Sequence, residues 1–411
     1  NQSLKYLNNS IGNVYMRSDS LQEAIYYFNK EIDNRGNLKG AYSNLIYLYY
    51  NKENIDQLEL LLDDEEAKTF FPPGIERVLH FNAGRPYKYF VTLLSNITSR
   101  FNTWGILAAF LIMVCWVIYL RKLDIFEVEK WIHIIITVMM GAAFSLLVYP
   151  ISDFNNIVLG FDLNGRIIND FLYCVIGIGA VEEIVKIIPL LIMLRFSNVI
   201  NEPFDYIKYA SLSALGFAFF ENLIYFEENS LHIIHGRALT AVVAHMFDSS
   251  VFAYGLMLNK YKRRKNPTLN FMSYFMLAAL AHGFYDFWLI SPSVSDYSYI
   301  TFIFLLVSLL IWNSLKNNAL NQSGFFDINK KIDHGRIEDW LLYSLAGVLL
   351  FEFVALAYKY GPDTATDGLL NSLYSGTFLI VFISSSLGRI DLHKGEWISY
   401  KEWIWKKRKI G

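Results

Sequence analysis

The chain has 411 residues, of which 54% are hydrophobic, 17% aromatic and only 18% charged, and its formal net charge is -2. That balance excludes an ordinary soluble domain and a nucleic-acid binder with a basic face, and indicates a polytopic membrane protein embedded in a lipid bilayer. The two cysteines, Cys115 and Cys174, both lie inside apolar runs, which excludes a disulfide framework and a cluster of zinc thiolates.

Residues 1–98 contain no stretch able to span a membrane but carry a repeat. Ile11-Gly12, Tyr15, Ala24 and Phe28 stand at the spacing of the L-G-x2-Y…A-x3-F pattern, and Leu45-Ile46, Tyr49, Leu58 and Leu62 follow 34 residues later. Tyr42 takes the position of that pattern's Trp in the second copy; Asn8 takes it in the first, and neither copy closes with Pro. The segment therefore resembles tetratricopeptide helical hairpins, and an unrelated bundle of amphipathic helices is the alternative. We expect a small α-helical, tetratricopeptide-like soluble domain over 1–98, able to take a protein partner. Pro72-Pro73-Gly74 interrupts its helical pattern, and 77–100 forms a basic and aromatic lead-in to the membrane.

Residues 99–411 are expected to form an all-α, polytopic bundle of about nine spans, since each apolar run approaches the ~20 residues a helix needs to cross the hydrocarbon core. The runs are 103–120, 132–151, 171–194, 209–226, 238–259, 271–290, 299–315, 340–358 and 368–387.

Lys and Arg collect in alternate connections. One side holds Arg121, Lys122, Lys130, Arg195, Lys208, the 260–265 cluster, Lys316, Lys330, Lys331, Arg336 and seven basic residues from Arg389 to Lys409. That is 21 against three on the other side, Arg166, Arg237 and Lys359. The basic side is read as cytoplasmic. This predicts an integral, multi-pass protein of the cell membrane with a cytoplasmic C-terminus and an extracytoplasmic N-terminal domain. The chain starts at Asn1 without a visible export signal, so that placement expects an upstream anchor or a removed signal. The alternative is that the first run does not span, which the basic lead-in Arg77, Arg85, Lys88 and Arg100 favours.

Ionisable residues inside these runs are the informative exception. Glu182, Glu183 and Lys186 lie in the third run, Glu221-Asn222 in the fourth, His245 and Asp248 in the fifth, His282 and Asp286 in the sixth and Glu352 in the eighth. Charges in a bilayer are costly, so they mark pathways or reactive sites. At 1.5 Å per residue, Glu182, Glu221, His245 and His282 all fall about 8–17 Å below the outer surface. Four helices therefore contribute to one layer, and the region of about 170–290 is the expected catalytic core.

Spacing adds chemistry. Lys186 is four residues from Glu182 and three from Glu183, so one lysine can hold both carboxylates. Asp286 is four residues from His282 and can fix its ring; Asp248 is three from His245. Gly177, Gly179, Ser213, Ala214, Gly216 and Ala218 are small enough for helix backbones to approach closely. Glu352 belongs to no such pattern, and a structural hydrogen bond is expected of it. A proton- or ion-coupled transporter is the alternative function, but it calls for ionisable groups at several depths and commonly an inverted repeat.

Glu182-Glu183-x-x-Lys186, Phe217-x-x-x-Glu221-Asn222 and His282-x-x-x-Asp286, in that order on successive membrane runs, resemble the three signature motifs of the PrsW-type intramembrane proteases. That family is distantly similar to type II CAAX prenyl proteases and bacteriocin-processing enzymes. The resemblance implies peptide-bond hydrolysis of a single-span membrane protein, such as an anti-sigma factor, near its extracytoplasmic side. Amide hydrolysis requires a base for water, a donor for the oxyanion and an acid for the leaving amine. Glu182 or Glu183 is the expected base, with Glu182 favoured by likeness to the prenyl proteases. His282 backed by Asp286 is the expected acid or oxyanion donor, and Glu221 and His245 are expected to position water. Lys186, Phe217, Asn222 and Asp248 support them. No His-Glu-x-x-His helix is present, yet Glu183, Glu221, His245 and His282 would satisfy zinc, so a metal-assisted route stays open beside a metal-free one.

Overall fold

The computed structural model describes residues 6–226, 231–263, 265–327, 329–330 and 334–398. Of the basic residues counted above, Arg264, Lys331, Lys401, Lys406, Lys407, Arg408 and Lys409 lie outside them. All regular structure among the described residues is helical, and the chain divides into two compact units, Asn1–Arg100 and Phe101–Gly411.

The first unit contains α1 (Leu7–Arg17), α2 (Leu21–Asp33), α3 (Leu38–Asn51), α4 (Ile55–Asp63), the short α5 (Glu65–Lys68), α6 (Pro73–Asn82) and α7 (Pro86–Ser99). Side-chain caps start several of them: Asn37 accepts from the Gly40 N–H, Asn54 from Gln57, and Asp64 from Glu66 and Ala67. Prolines open α6 and α7, where a missing N–H costs nothing. Ala24, Phe28, Leu45, Ile46, Leu58 and Leu62 are buried in one core, so the residues at 34-residue spacing face inward. A Cβ on Gly12 would lie 2.6 Å from the Phe28 ring, which explains glycine where α1 crosses α2. Glu31 is buried, and its carboxylate accepts the backbone N–H groups of Tyr6, Asn9 and Asn37 at 2.7–3.1 Å. One side chain thus serves the starts of both α1 and α3.

The second unit follows with α8 (Thr103–Leu123), α9 (Trp131–Phe144), α10 (Val148–Asp153), α11 (Ile167–Leu172), α12 (Val181–Phe196), α13 (Pro203–Tyr225), α14 (Ile234–Gly236), α15 (Val242–Tyr261), α16 (Pro267–Ile290), α17 (Tyr299–Asn321), α18 (His334–Tyr360) and α19 (Pro362–Leu387). A 3-10 turn joins α9 to α10, and π-helical turns at 154–158, 173–180 and 237–241 extend or join their neighbours, giving nine long helical segments among the described residues. Six of the nine, including 131–158 and 231–261, are long and apolar enough to cross a membrane. The other three contain α12, α13 and α16, which carry Glu182, Glu183, Glu221 and His282. The fifth segment starts at Leu231 rather than 238, because its first turns are too polar to read as an apolar run. Large apolar side chains such as Phe110, Met139, Leu350 and Val381 are about half exposed, a surface suited to hydrocarbon.

At the centre, α13 packs against α8, α9, α12, α15 and α17. Small residues allow it: a Cβ on Gly216 would meet the Val138 carbonyl at 1.9 Å, and one on Gly141 the Ser213 carbonyl at 2.1 Å. Likewise Gly179 faces the Ala279 carbonyl across α16, whereas the nearest atoms to a Cβ on Gly177 are those of the Tyr173 ring in its own turn. Near the start of α13, buried Lys208 donates to Asp124 at 2.9 Å and Asp205 at 2.8 Å. Glu202, just before the helix, is also buried, and burial together with the neighbouring carboxylates pushes its carboxyl up to about 7.

Candidate intramembrane active site

Lys186 organises the site. Its ammonium is buried and stands 3.0 Å from Glu182, 3.0 Å from Glu183, 2.8 Å from His245 Nδ1 and 3.3 Å from His282 Nδ1. An ammonium has three N–H bonds for these four neighbours. His282 Nδ1 is the most distant and also lies 3.0 Å from Glu183, so its own N–H belongs to that carboxylate. Lys186 then donates to Glu182, Glu183 and His245 Nδ1. This assigns the remaining proton of His245 to Nε2, which donates to Glu221 at 2.9 Å. The Phe217 ring lies 4.5 Å from the ammonium and packs edge-on against His245, a reason for an aromatic residue one turn before Glu221.

The two glutamates differ in surroundings. Glu183 is 2% exposed and has its other oxygen taken by the Ser249 hydroxyl at 2.8 Å. Glu182 is 9% exposed and lines a cavity of about 470 Å³ together with Glu221, Arg237, His245, His282 and Asp286. His282 Nε2 stands in that cavity, 3.4 Å from Glu182 and 3.3 Å from Asp286. Asp248 lies behind His282, with Oδ2 3.8 Å from Nδ1. Asn222 does not approach the lysine and instead accepts from Arg237 Nε at 2.7 Å.

Two residues here carried no signal in the sequence pattern. Ser249 is an ordinary small residue in an apolar run. Arg237 counts there as a loop charge at the edge of the fifth run, but it sits in the π-helical turn 237–241, pairs with Glu221 and lies over the Tyr225 ring at 4.4 Å. Its place eight residues before His245 is legible only once the helix is known to begin at Leu231.

Residues 129–312 match the sequence model of the PrsW family of intramembrane metalloproteases. Protease PrsW of Clostridioides difficile is 25% identical over 224 residues, covering 53% of this chain and 90% of that protein. Protease PrsW of Geobacillus kaustophilus is 27% identical over 198 residues, 48% of this chain and 83% of its own length. That of Oceanobacillus iheyensis is 31% identical over 146 residues, covering 34% and 63% respectively. The matched stretch belongs to the PrsW family. It makes the chain an integral membrane peptidase. No solved structure matches it significantly.

The PrsW family is described as metalloproteases, and two groups of donors in this chain are close enough to share an ion. Glu182, His245 and His282 each present a ligand atom, all within 4.8 Å of one another, and so do the more deeply buried Glu183, Asp248 and His282. The first set faces the cavity and has the two-nitrogen, one-carboxylate character of open zinc sites. The set expected from sequence, Glu183, Glu221, His245 and His282, does not converge in this way. Glu221 is engaged by Arg237 and by His245 Nε2, and Glu183 faces away from the cavity toward Ser249.

Proposed function

We propose that this cluster hydrolyses a peptide bond of a single-span membrane protein, with Glu182 as the base that takes a proton from water. The supporting observation is that Glu182 lines the cavity while Glu183 is held by Lys186, Ser249 and His282. A base needs reach to its water and an unengaged oxygen to receive the proton. Lys186 holds the Glu182 carboxylate in place, and Asp286 and Glu183 fix the ring of His282, whose Nε2 orients the water and then the leaving amine. Glu221 fixes His245. On a metal-assisted route Glu182, His245 and His282 would instead hold zinc, His245 Nδ1 exchanging its Lys186 contact for the ion and Glu182 serving as a ligand rather than as the base, and the ion would supply Lewis acidity. The basic residues at the opposite ends of these helices favour a site in the outer half of the bilayer, with the substrate, of anti-sigma-factor type, cut near its extracytoplasmic side. The N-terminal helical unit, tetratricopeptide-like in its spacing, would then select the substrate's outer domain.

The test is cleavage of a single-span reporter by purified protein in liposomes, with metal content measured on the same samples. Glu182→Gln and His282→Ala should each slow cleavage by about 10²–10⁴-fold. Undiminished cleavage in both variants would remove this reading.

A further inference from the structure

Water attack on an amide moves the carbonyl π pair onto oxygen, and that oxyanion needs a donor the ground state does not use. The obvious cation cannot serve: Lys186 does not line the cavity, and its three N–H bonds go to Glu182, Glu183 and His245. The Nδ1 proton of His282 belongs to Glu183 and its Nε2 faces the carboxylates of Asp286 and Glu182 at 3.3 and 3.4 Å, while the Tyr285 hydroxyl, also on the wall, donates to Thr240 at 3.0 Å. Among the described residues that line the cavity, Arg237 is the one permanently charged cation.

Its geometry is that of an aimed group. Nε donates to Asn222 and Nη2 to Glu221, and the guanidinium lies against Tyr225, so its plane is fixed from three directions. Two of its five N–H bonds are used in this way. Neutralising Glu221 would need only one of them. The π-helical turn at 237–241 adds a residue to the helix here, a device common at functional sites.

We infer that Arg237 is a catalytic residue, the donor to the oxyanion of the tetrahedral intermediate, an inference that rests on the hydrolytic reading above. In the step, the water oxygen bonds to the carbonyl carbon, one water proton passes to Glu182, and the π pair settles on the carbonyl oxygen facing Arg237. The oxyanion pair then re-forms the C=O bond as the C–N bond breaks with its electron pair going to nitrogen, and the proton on Glu182 passes to that nitrogen. The products are an acid and an amine.

The experiment compares wild type, Arg237→Gln and Arg237→Lys for kcat, KM and affinity for a peptide phosphinate, whose tetrahedral anion mimics the intermediate, with Tm as a folding control. Arg237→Gln should lower kcat by about 10²–10³-fold with KM nearly unchanged, and lose phosphinate affinity by a similar factor. Added guanidinium should restore part of the rate. Arg237→Lys, which keeps a charge beside Glu221, should fall between. Wild-type phosphinate affinity in both folded variants, or a rate that guanidinium leaves unchanged, would overturn the assignment. Glu182→Gln is run alongside: if it is inactive while Arg237→Gln is not, this inference alone fails, and if it is active, the hydrolytic reading fails first.

Discussion

The Glu352 carboxylate holds His235 twice, accepting its backbone N–H at 3.0 Å and facing its ring Nδ1 at 3.0 Å. Glu352 lies in α18, outside the stretch that matches the family, and His235 is two residues before Arg237. The Ser372 hydroxyl of α19 also meets the ring at 3.0 Å. The C-terminal hairpin therefore anchors the turn that presents Arg237 to the cavity. Glu352→Ala would leave a partly buried N–H unpaired, and cleavage should fall by about 10-fold as for other supporting contacts. Glu352→Gln, whose amide oxygen still accepts the N–H, should lose less. Equal Tm and equal rates in wild type and Glu352→Ala would show that the anchor is idle.

Close helix contact at α13 gives a stability prediction with an internal control. Gly216→Ala places a methyl group against the Val138 carbonyl, which belongs to backbone and cannot swing away. Overpacking of this kind costs about 1–3 kcal/mol, so Tm in detergent should drop by several degrees. Gly347→Ala, in α18 with no atom within 4 Å of the added carbon, should leave Tm unchanged or slightly higher. Matching values for the two variants would contradict the packing argument.

The helices and the grouping of the site residues are legible in the sequence because both rest on simple signals, runs of apolar residues and charges where lipid allows none. Counting residues puts Glu182, Glu221, His245 and His282 in one layer, and in the structure they surround one cavity. The partner of Glu352 was not legible, since His235 reads as an ordinary polar residue in a connection. Arg237 reads as a loop charge for the same reason: an apolar-run reading ends a helix where its side chains turn polar, although the backbone continues. The choice between Glu182 and Glu183 was open because adjacent residues on a helix face different directions, and only the positions of Ser249 and the cavity distinguish them.

In the first unit, acid should act through Glu31. Burial alone would raise its carboxyl, but the N–H groups of Asn37, Tyr6, Asn9 and Asn8 outweigh that and hold it below the usual 4.5. A carboxyl lowered in the folded state contributes stability above pH 4.5, and that contribution disappears as pH falls through the folded value. Glu31→Gln should therefore melt this unit at lower temperature at pH 7 and approach wild type in acid. Hydrogen exchange at Tyr6, Asn9 and Asn37 reports it, and equal protection of the two proteins at pH 7 would count against the double cap.

Glu202 should act in the opposite sense. Its carboxyl is pushed up to about 7, first by burial and then by Asp205, Glu127 and Asp124, while the Ser323 hydroxyl at 2.9 Å opposes the shift. Its second oxygen is buried without a hydrogen-bond partner, which suits a protonated acid better than an anion. A carboxyl raised in the folded state contributes stability that is complete below pH 4.5 and lost as pH rises through about 7. The wild-type Tm should thus decline between pH 5 and pH 8 more steeply than that of Glu202→Gln, whose neutral amide cannot ionise. The two melting curves should converge at the acidic end, where both side chains are uncharged. Parallel slopes across that range would mean that Glu202 keeps its charge in the folded protein and that Lys208, which already serves Asp124 and Asp205, compensates a third carboxylate.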